Sequence, residues 1–279
     1  MIVRERMALN RIVAPRAPLP RFLALVGRIG LDQVELRNDL AGGSVTDELH
    51  ADEVARLAAE EGVKVITINA LQRFNLAAAL PAVQPELEAL AAAARALGCP
   101  AIVLCPNNDT ADRRAPEEMQ RETAAALVAL RPTLERAGLH GLVEPLGFPE
   151  SSLRSGRLAL AAIEQAGGEC YRIVHDTFHH AIGPDTAQLL EEQAYVSKVG
   201  LVHASGVEAS IPLEQCRDAH RVLVGPEDRL DSRGQIRALL SAGYAGPISL
   251  EPFAPEVQRL EETRLRVAIE ESLRYLLAE

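Results

Sequence analysis

Short aliphatic runs alternate along the chain with longer amphipathic stretches. Continuously apolar runs are typical of parallel strands that are covered on both faces of a sheet. The pattern predicts eight strands, at residues 9–13, 33–37, 64–68 and 101–105 and in the runs that end at Glu144, Asp176, His203 and Glu251. Helices are predicted from residue 18 and over 51–61, 84–97, 116–137, 157–165, 186–192, 234–241 and 257–277. Strand and helix therefore alternate throughout.

This alternation predicts the fold class. Eight βα units in 279 residues fit a single-domain (β/α)8 TIM barrel better than an open doubly wound sheet. The first βα turn lacks GxGxxG, and GxxxxGK[ST] is absent, so neither common nucleotide-binding fingerprint supports the open sheet. No linker rich in Gly, Ser or Pro divides the chain, and we predict one domain over residues 1–279. Residues 1–6 could be an N-terminal extension, since Met7 opens the first apolar run.

Composition and charge narrow the class of protein. The chain is 48% hydrophobic, with a mean hydropathy of +0.02 and a net charge of −10. The negative charge disfavours nucleic-acid binding, because it repels phosphates, and no run reaches the roughly 18 apolar residues of a membrane span. The N-terminus lacks the apolar segment of a secretory signal, and the four cysteines form no CxxC pair. We therefore expect a cytoplasmic protein with free, buried thiols.

The last four predicted strands each end in a side chain that can bind a metal. In a TIM barrel, the C-terminal ends of the strands form the active-site face. A lone acid at a strand end often caps the next helix or pairs with an arginine. Several carboxylates crowded together repel one another, however, and a cation relieves that repulsion. We predict one divalent ion, Mn²⁺, Co²⁺, Mg²⁺ or Zn²⁺, bound by Glu144, Asp176, His203 and Glu251.

Three histidines cluster around the end of the sixth strand, at positions 175, 179 and 180. If the strand ends at Asp176, His179 falls in the following loop at the rim of the pocket, where it could donate a hydrogen bond to a substrate. His175 points the opposite way from Asp176 along the strand and is interpreted as structural. His180 could be a surface residue or a neighbour of the site, and its role stays open.

Further polar residues occupy other loops and strand ends. Arg221 lies in the long seventh loop, where it either holds substrate oxygens with its planar fork or forms a surface salt bridge with Asp218 or Glu227. The equivalent ends of strands one, two and three carry Asn10, Arg37 and Asn69. These are candidates for substrate binding, although asparagine also caps helices and turns readily.

These residues carry a family resemblance. The chain resembles the xylose isomerase-like TIM barrels of the sugar isomerase and epimerase superfamily and, within it, the inosose isomerases. The likeness covers nearly the whole chain and rests on the segments Val-Glu-Leu-Arg37, Asn69-Ala-Leu, Asp176-Thr-Phe-His179, Asp218-Ala-His-Arg221 and Ser-Leu-Glu251-Pro-Phe253. One departure is that His203 is followed by Ala-Ser-Gly, where many relatives carry an acidic residue two positions after the histidine. It bears on the substrate more than on the metal.

The resemblance implies roles for the site residues. It implies that the four strand-end residues bind one divalent ion and that Glu144 and Glu251 also move the proton. It further implies that His179 and Arg221 contact substrate oxygens. The implied enzyme is a metal-dependent isomerase of inositol catabolism that moves a carbonyl between adjacent carbons of a keto-polyol. Its reaction would convert 2-keto-myo-inositol to 1-keto-D-chiro-inositol through an enediolate.

Several alternatives share this site. They are a ketose 3-epimerase, a hydroxypyruvate-type isomerase, and a dehydratase of inosose or dehydroshikimate. A non-catalytic sugar-binding barrel is a more distant alternative. A nuclease of the apurinic-site type is disfavoured by the negative net charge and by Arg37 and Asn69, which stand where extra histidine ligands would be needed. We expect a small unphosphorylated polyol as the substrate, with no nucleic-acid or membrane partner and a possible homodimer.

Overall fold

The computed structural model describes residues 1–278 and contains eight parallel strands that close into a barrel. The strands are β1 Met7–Asn10, β2 Gln33–Arg37, β3 Lys64–Leu71, β4 Ala101–Leu104, β5 His140–Val143, β6 Tyr171–Asp176, β7 Val199–Ala204 and β8 Ile248–Leu250. Each strand pairs with the next along the chain, and β8 pairs with β1 through Ile248 opposite Met7. The predicted (β/α)8 barrel is confirmed.

Helices lie between successive strands, and the last two follow β8. They are α1 Leu19–Ile29, α2 Ala51–Glu60, α3 Leu80–Ala96, α4 Pro116–Ala137, α5 Gly156–Ala166, α6 Thr177–Ile182, α7 Gln193–Val196, α8 Ser232–Ser241, α9 Pro255–Gln258 and α10 Glu262–Leu277. Helix α1 ends at Gly30, whose φ of 76° is accessible without strain to a residue that lacks Cβ. Asp176 and Asp231 accept hydrogen bonds from the first turns of α6 and α8. Local sequence signals thus set these helix ends.

Strand residues divide between two apolar clusters, because alternate side chains point to opposite faces of the sheet. Leu36, Ile102 and Ile173 belong to the large core, which also contains the buried faces of the helices. A second, smaller cluster consists of Ala70, Ala101, Val103, Cys105, Leu142, Val174 and Leu201. Two residues beyond Leu142, Val174 and Leu201, on the same strand faces, stand Glu144, Asp176 and His203. An apolar layer therefore lies beneath the strand-end polar residues.

Several element boundaries differ from the predictions. The first strand was predicted at 9–13 but ends at Asn10, because the Asn10 side chain accepts a hydrogen bond from Ile12 N and starts a short 3₁₀ turn, Arg11–Val13. The third strand continues to Leu71, and α3 starts at Leu80 with a proline in its first turn. The helix predicted at 186–192 is a 3₁₀ helix, Ala187–Glu191.

The chain ends in two helices where one was predicted. The segment 257–277 was expected to be continuous, but α9 stops at Gln258 and α10 begins at Glu262. The break lets Leu260 pack against the core while Val257 stays buried. Among residues 1–278, no helix is both long and apolar enough to cross a membrane.

Gly147 lies in the segment between β5 and α5 and packs closely against the backbone of α6, which carries His179. A Cβ built on Gly147 would lie 2.2 Å from the carbonyl oxygen of His179 and 2.9 Å from the backbone nitrogen of Gly183. We predict that Gly147→Ala destabilises the protein by about 1–3 kcal/mol, because a rigid backbone cannot make room for the methyl group. Gly225→Ala is the control, since the nearest atom to its new methyl group would be Oε1 of Glu208 at 3.6 Å. Urea unfolding followed by circular dichroism measures both, and equal midpoints would contradict the prediction.

Candidate metal centre and substrate cavity

Four ligand-type side chains gather at the C-terminal ends of β5 to β8. One donor atom from each lies within 4.8 Å of the others, and all four residues are buried: Glu144, Asp176, His203 and Glu251. Nδ1 of His203 lies 2.7 Å from Oε1 of Glu144 and 3.2 Å from Oε2 of Glu251. It lies 3.9 Å from Oδ2 of Asp176. Three carboxylates and one imidazole in this arrangement fit a divalent ion of hard to borderline character.

Asp176 shows how one strand-end acid can have two functions. Its Oδ1 accepts hydrogen bonds from the backbone nitrogens of Phe178 at 2.7 Å and His179 at 3.1 Å, which caps α6. Its Oδ2 faces the other ligands and Arg221. The sequence left open whether such an acid caps a helix, pairs with an arginine or belongs to a site, and Asp176 combines the first two with a position in the four-residue cluster.

The buried charges at this centre shift one another's pKa values. Burial alone would lower the pKa of His203, but the carboxylates of Glu251, Glu35 and Glu144 raise it well above its ordinary value. Burial raises the pKa of Glu251, and His203 and Arg221 outweigh that effect and hold it well below its usual range. Burial raises the pKa of Asp176 despite the opposing effect of Arg221. The buried carboxylates therefore strongly stabilise positive charge beside them, whether it is a proton on His203, the guanidinium of Arg221 or a metal ion.

Arg221 lies inside the centre. Its guanidinium is almost fully buried, and Nη2 donates to Oδ2 of Asp176 at 2.6 Å and to Oε2 of Glu251 at 2.8 Å. It also bonds Asp218 at 3.3 Å, one of the two partners considered from the sequence. Arg221 therefore does form the predicted salt bridge with Asp218, but as a buried residue of the centre and not as a surface residue. Arg221 follows a 3₁₀ turn, Asp218–His220, that fixes it within the long loop.

Arg37 approaches Glu251 from the opposite oxygen. Its Nη1 donates to Oε1 of Glu251 at 2.8 Å, and its Nη2 donates to Asp39 at 2.6 Å. The ring of Phe253 lies beside both guanidiniums, with its centroid 5.3 Å from Cζ of Arg37 and 4.6 Å from Cζ of Arg221. Glu251 is thus held between two arginines that share one aromatic neighbour.

Asn10 and Asn69 bind to other polar groups of the barrel. Nδ2 of Asn10 donates to Glu35 at 3.1 Å and to Glu251 at 3.2 Å, and its Oδ1 accepts from Arg37 at 3.2 Å. Nδ2 of Asn69 lies 3.4 Å from Oε2 of Glu35. Asn10 therefore fixes neighbouring charges, while substrate binding by either asparagine stays a prediction.

A cavity of about 380 Å³ opens above the centre. Its charged walls are Arg37, Asp39, Arg73, Glu144, Asp218, Arg221 and Glu251, and its aromatic walls are Phe148, Phe253 and the ring of His179. Of the four clustered residues, the two glutamates line this cavity. Asn69 lines it as well. The volume suits a ligand the size of a small sugar.

His179 lies in a helix, which corrects the predicted loop. It is part of α6, and its ring packs edge-on between Phe148 and Phe178, with centroids 5.0 and 5.2 Å away. Burial and the nearby Arg221 charge lower the pKa of His179 to about 4, so the ring is neutral at pH 7. Its buried Nδ1 has no hydrogen-bond partner among the described residues. A neutral imidazole is thus held rigidly at the cavity wall.

The other two histidines lie away from the cavity. His175 is bonded through Nδ1 to the hydroxyl of Tyr195 and through Nε2 to Oε1 of Gln235, each at 3.0 Å. This geometry agrees with the structural interpretation of His175. His180 is partly exposed and its ring centroid lies 5.0 Å from that of His175. His180 thus neighbours the structural histidine.

Sequence reasoning missed two residues that touch the predicted ligands. Glu35 bonds Nε2 of His203 at 3.1 Å, and Cys105 donates its thiol proton to Oε2 of Glu144 at 3.5 Å. The signal for Glu35 was available, because it lies two residues before Arg37 on the same strand face. Cys105 was interpreted only as a free buried thiol, which it is. Burial and Glu144 raise the pKa of that thiol well above its ordinary value.

Comparisons with known proteins agree with this architecture. A model of a family described as xylose isomerase-like TIM barrel matches residues 23–278. A xylose isomerase domain-containing protein of Salmonella typhimurium LT2 is 36% identical, with a TM-score of 0.91 over 100% of this chain and 99% of that one. The IOLI protein, solved with a zinc atom bound, is 22% identical, with a TM-score of 0.87 over 98% of each chain. At 22% identity, the likeness to the IOLI protein shows a shared fold.

Curated relatives carry a more specific name. The inosose isomerase of Bacillus velezensis is 27% identical over 251 residues, which are 88% of this chain and 88% of that protein. The inosose isomerase of Halalkalibacterium halodurans is 26% identical over 234 residues, 83% of this chain and 81% of that protein. The resemblance expected from the sequence is confirmed.

The buried His175 makes stability depend on pH. Burial and the neighbouring His180 lower the pKa of His175 to about 3, against an ordinary value of 6.5. The unfolded chain binds a proton here that the folded chain excludes, so stability present above pH 6.5 is lost as the pH falls toward 3. We predict that His175→Asn removes about 2 kcal/mol of the stability loss between pH 7 and pH 5. Urea titrations at both pH values test this, and parallel losses in the two proteins would contradict it.

Proposed function

The chain belongs to the xylose isomerase-like TIM barrel family, and from that premise we propose that it is a divalent-metal-dependent sugar isomerase. The finer proposal is an inosose isomerase that moves a carbonyl between adjacent carbons of a keto-polyol, from 2-keto-myo-inositol to 1-keto-D-chiro-inositol. The observation that carries the proposal is the buried cluster of three carboxylates and one imidazole beneath a sugar-sized cavity. The names of the curated relatives support the choice of reaction.

The proposed reaction divides its work among the clustered residues. Glu144, Asp176, His203 and Glu251 would hold the ion, which supplies Lewis acidity to stabilise the charge of an enediolate. Glu144 and Glu251 are the candidates for proton transfer, because both line the cavity. Either glutamate would remove the proton from the hydroxyl-bearing carbon, and the same or the other would return it to the former carbonyl carbon.

The neighbouring side chains would orient the substrate. The neutral ring of His179 stands at the cavity wall, and Arg221 and Arg37 direct their guanidiniums toward Glu251. Because both arginines already pair with carboxylates, they offer no uncompensated positive charge to a phosphate. This balance favours an uncharged polyol, such as a keto-inositol, over a sugar phosphate.

Metal binding is tested before turnover. Zn²⁺ or Mn²⁺ at about 100 times its Kd should stabilise the wild-type protein by about 2.7 kcal/mol, since the ion binds only the folded state. Chelation by EDTA should reverse the gain. Glu144→Gln removes the charge of one of the three carboxylate donors and should lose most of the stabilisation, whereas Glu256→Gln, on the exposed side of α9, should keep it. Thermal unfolding measures the gains, and equal gains in the wild type and Glu144→Gln would contradict the proposed site.

Turnover is tested on a panel of substrates in D₂O. The panel contains inosose, two ketohexoses, hydroxypyruvate and dehydroshikimate, followed by NMR with and without added metal. We expect inosose to be converted, with deuterium entering the carbon next to the ketone. Glu251→Gln should lose at least about 10²-fold in rate, the contribution of a positioned proton-transfer group. Glu256→Gln should retain the wild-type rate.

The panel also separates the alternatives. Exchange with a ketohexose in preference to inosose would assign the protein as a 3-epimerase, and loss of water from inosose or dehydroshikimate as a dehydratase. No exchange with any substrate, in protein shown to hold its metal, would reject the enediolate mechanism and indicate a binding role.

A further inference from the structure

Glu35 is a buried carboxylate beneath the predicted ligands. It lies on β2, is fully buried, and its strand neighbours Val34 and Leu36 belong to the aliphatic core. A carboxylate in such surroundings is costly unless it is paired and hydrogen-bonded. None of the roles assigned above uses it. Its contacts therefore call for a specific explanation.

Those contacts converge on His203. Oε2 of Glu35 lies 3.1 Å from Nε2 of His203 and accepts the hydroxyl proton of Thr67 at 2.6 Å. Oε1 accepts from Nδ2 of Asn10 at 3.1 Å. Neutral donors thus hold both carboxylate oxygens, and Oε2 also faces the imidazole of His203. Thr67 and Asn10 fix the carboxylate in place.

The opposite nitrogen of the same ring faces the predicted ligands. Nδ1 of His203 is the atom within 3.9 Å of the Glu144, Asp176 and Glu251 oxygens. If Nε2 carries the proton that Glu35 accepts, the lone pair of Nδ1 is free to bind an ion. A ligating histidine whose second nitrogen donates to a carboxylate is held in one tautomer and one orientation, and becomes a better donor.

We propose that Glu35 is a positioning residue that fixes the tautomer and the ring orientation of His203, so that Nδ1 presents its lone pair to the metal. Thr67 supports it by anchoring Oε2. This inference rests on the metal site of the proposed function, but it does not depend on which substrate is turned over. It places the determinants of metal affinity partly on β2 and β3, outside the four strands that carry the ligands.

The experiment measures metal binding directly. Zn²⁺ affinity is determined by competition with a chromophoric chelator for the wild type, Glu35→Gln, Thr67→Val and the surface control Glu256→Gln. Glu35→Gln keeps the shape and an acceptor oxygen but loses the charge, and we expect its affinity to fall by about 10–100-fold. Thr67→Val, which removes one hydrogen bond to the carboxylate, should weaken affinity by about fivefold. The control should match the wild type.

Two spectroscopic readouts separate positioning from a general loss of stability. The visible spectrum of the Co²⁺-loaded protein should change in Glu35→Gln, because the imidazole moves relative to the ion. Histidine-ring NMR of the zinc-loaded wild type should show the proton of His203 on Nε2. This measurement needs no variant and tests which nitrogen faces the ion, and Thr67→Val keeps the role of Glu35 testable if Glu35→Gln does not fold.

The outcomes distinguish this inference from the proposed function. Equal Zn²⁺ affinity and equal Co²⁺ spectra in the wild type and Glu35→Gln would overturn the role of Glu35 and leave the metal site standing. A proton on Nδ1 in the zinc-loaded protein would also overturn it. A wild type that binds no divalent ion would overturn both this inference and the proposed function. A wild type that binds zinc but does not turn over inosose would leave the role of Glu35 intact.

Discussion

The organisation of the site depends on the balance of charge inside a closed barrel. Eight parallel strands bring their C-terminal ends to one opening, and this chain places Glu144, Asp176 and Glu251 there, away from water. Carboxylates at these distances repel strongly when solvent is excluded. His203 lies between them, and with Arg221 it supplies the positive charge that makes the arrangement compatible with a folded protein.

This balance also connects metal binding to the state of the imidazole. Nδ1 of His203 lies where it can donate to Glu144 and Glu251 when it carries a proton. An ion bound by the same carboxylates needs the lone pair of that nitrogen, so the ion and the Nδ1 proton compete for one place. Metal binding at such a site releases a proton and weakens as the pH falls. Arg37 and Arg221 are each paired with Glu251, and Arg221 also with Asp176, so the carboxylates of this centre are shared between the imidazole and the two guanidiniums.

The sequence predicted the barrel and the four clustered residues well, because both depend on local patterns. A continuous aliphatic run ending in one polar residue identifies a parallel strand and its C-terminal end without any knowledge of distant contacts. The contacts of Glu35 could not be predicted in the same way, because they depend on the register of β2 against β1 and β3 and on a ring from β7. The error for His179 has a different cause, because the cap that Asp176 supplies to α6 is a local contact that the sequence reasoning overlooked.

Ser205, in the segment after β7, is the point at which this chain departs from the family pattern, and it contacts Arg221. Two positions beyond His203, where many relatives carry an acid, Ser205 accepts a hydrogen bond from Nε of Arg221 at 3.0 Å. Its carbonyl oxygen accepts from the hydroxyls of Ser232 and Thr177, which holds the segment in place. A serine orients the guanidinium without cancelling its charge, so the neutralisation of Arg221 is left to Asp176, Glu251 and Asp218.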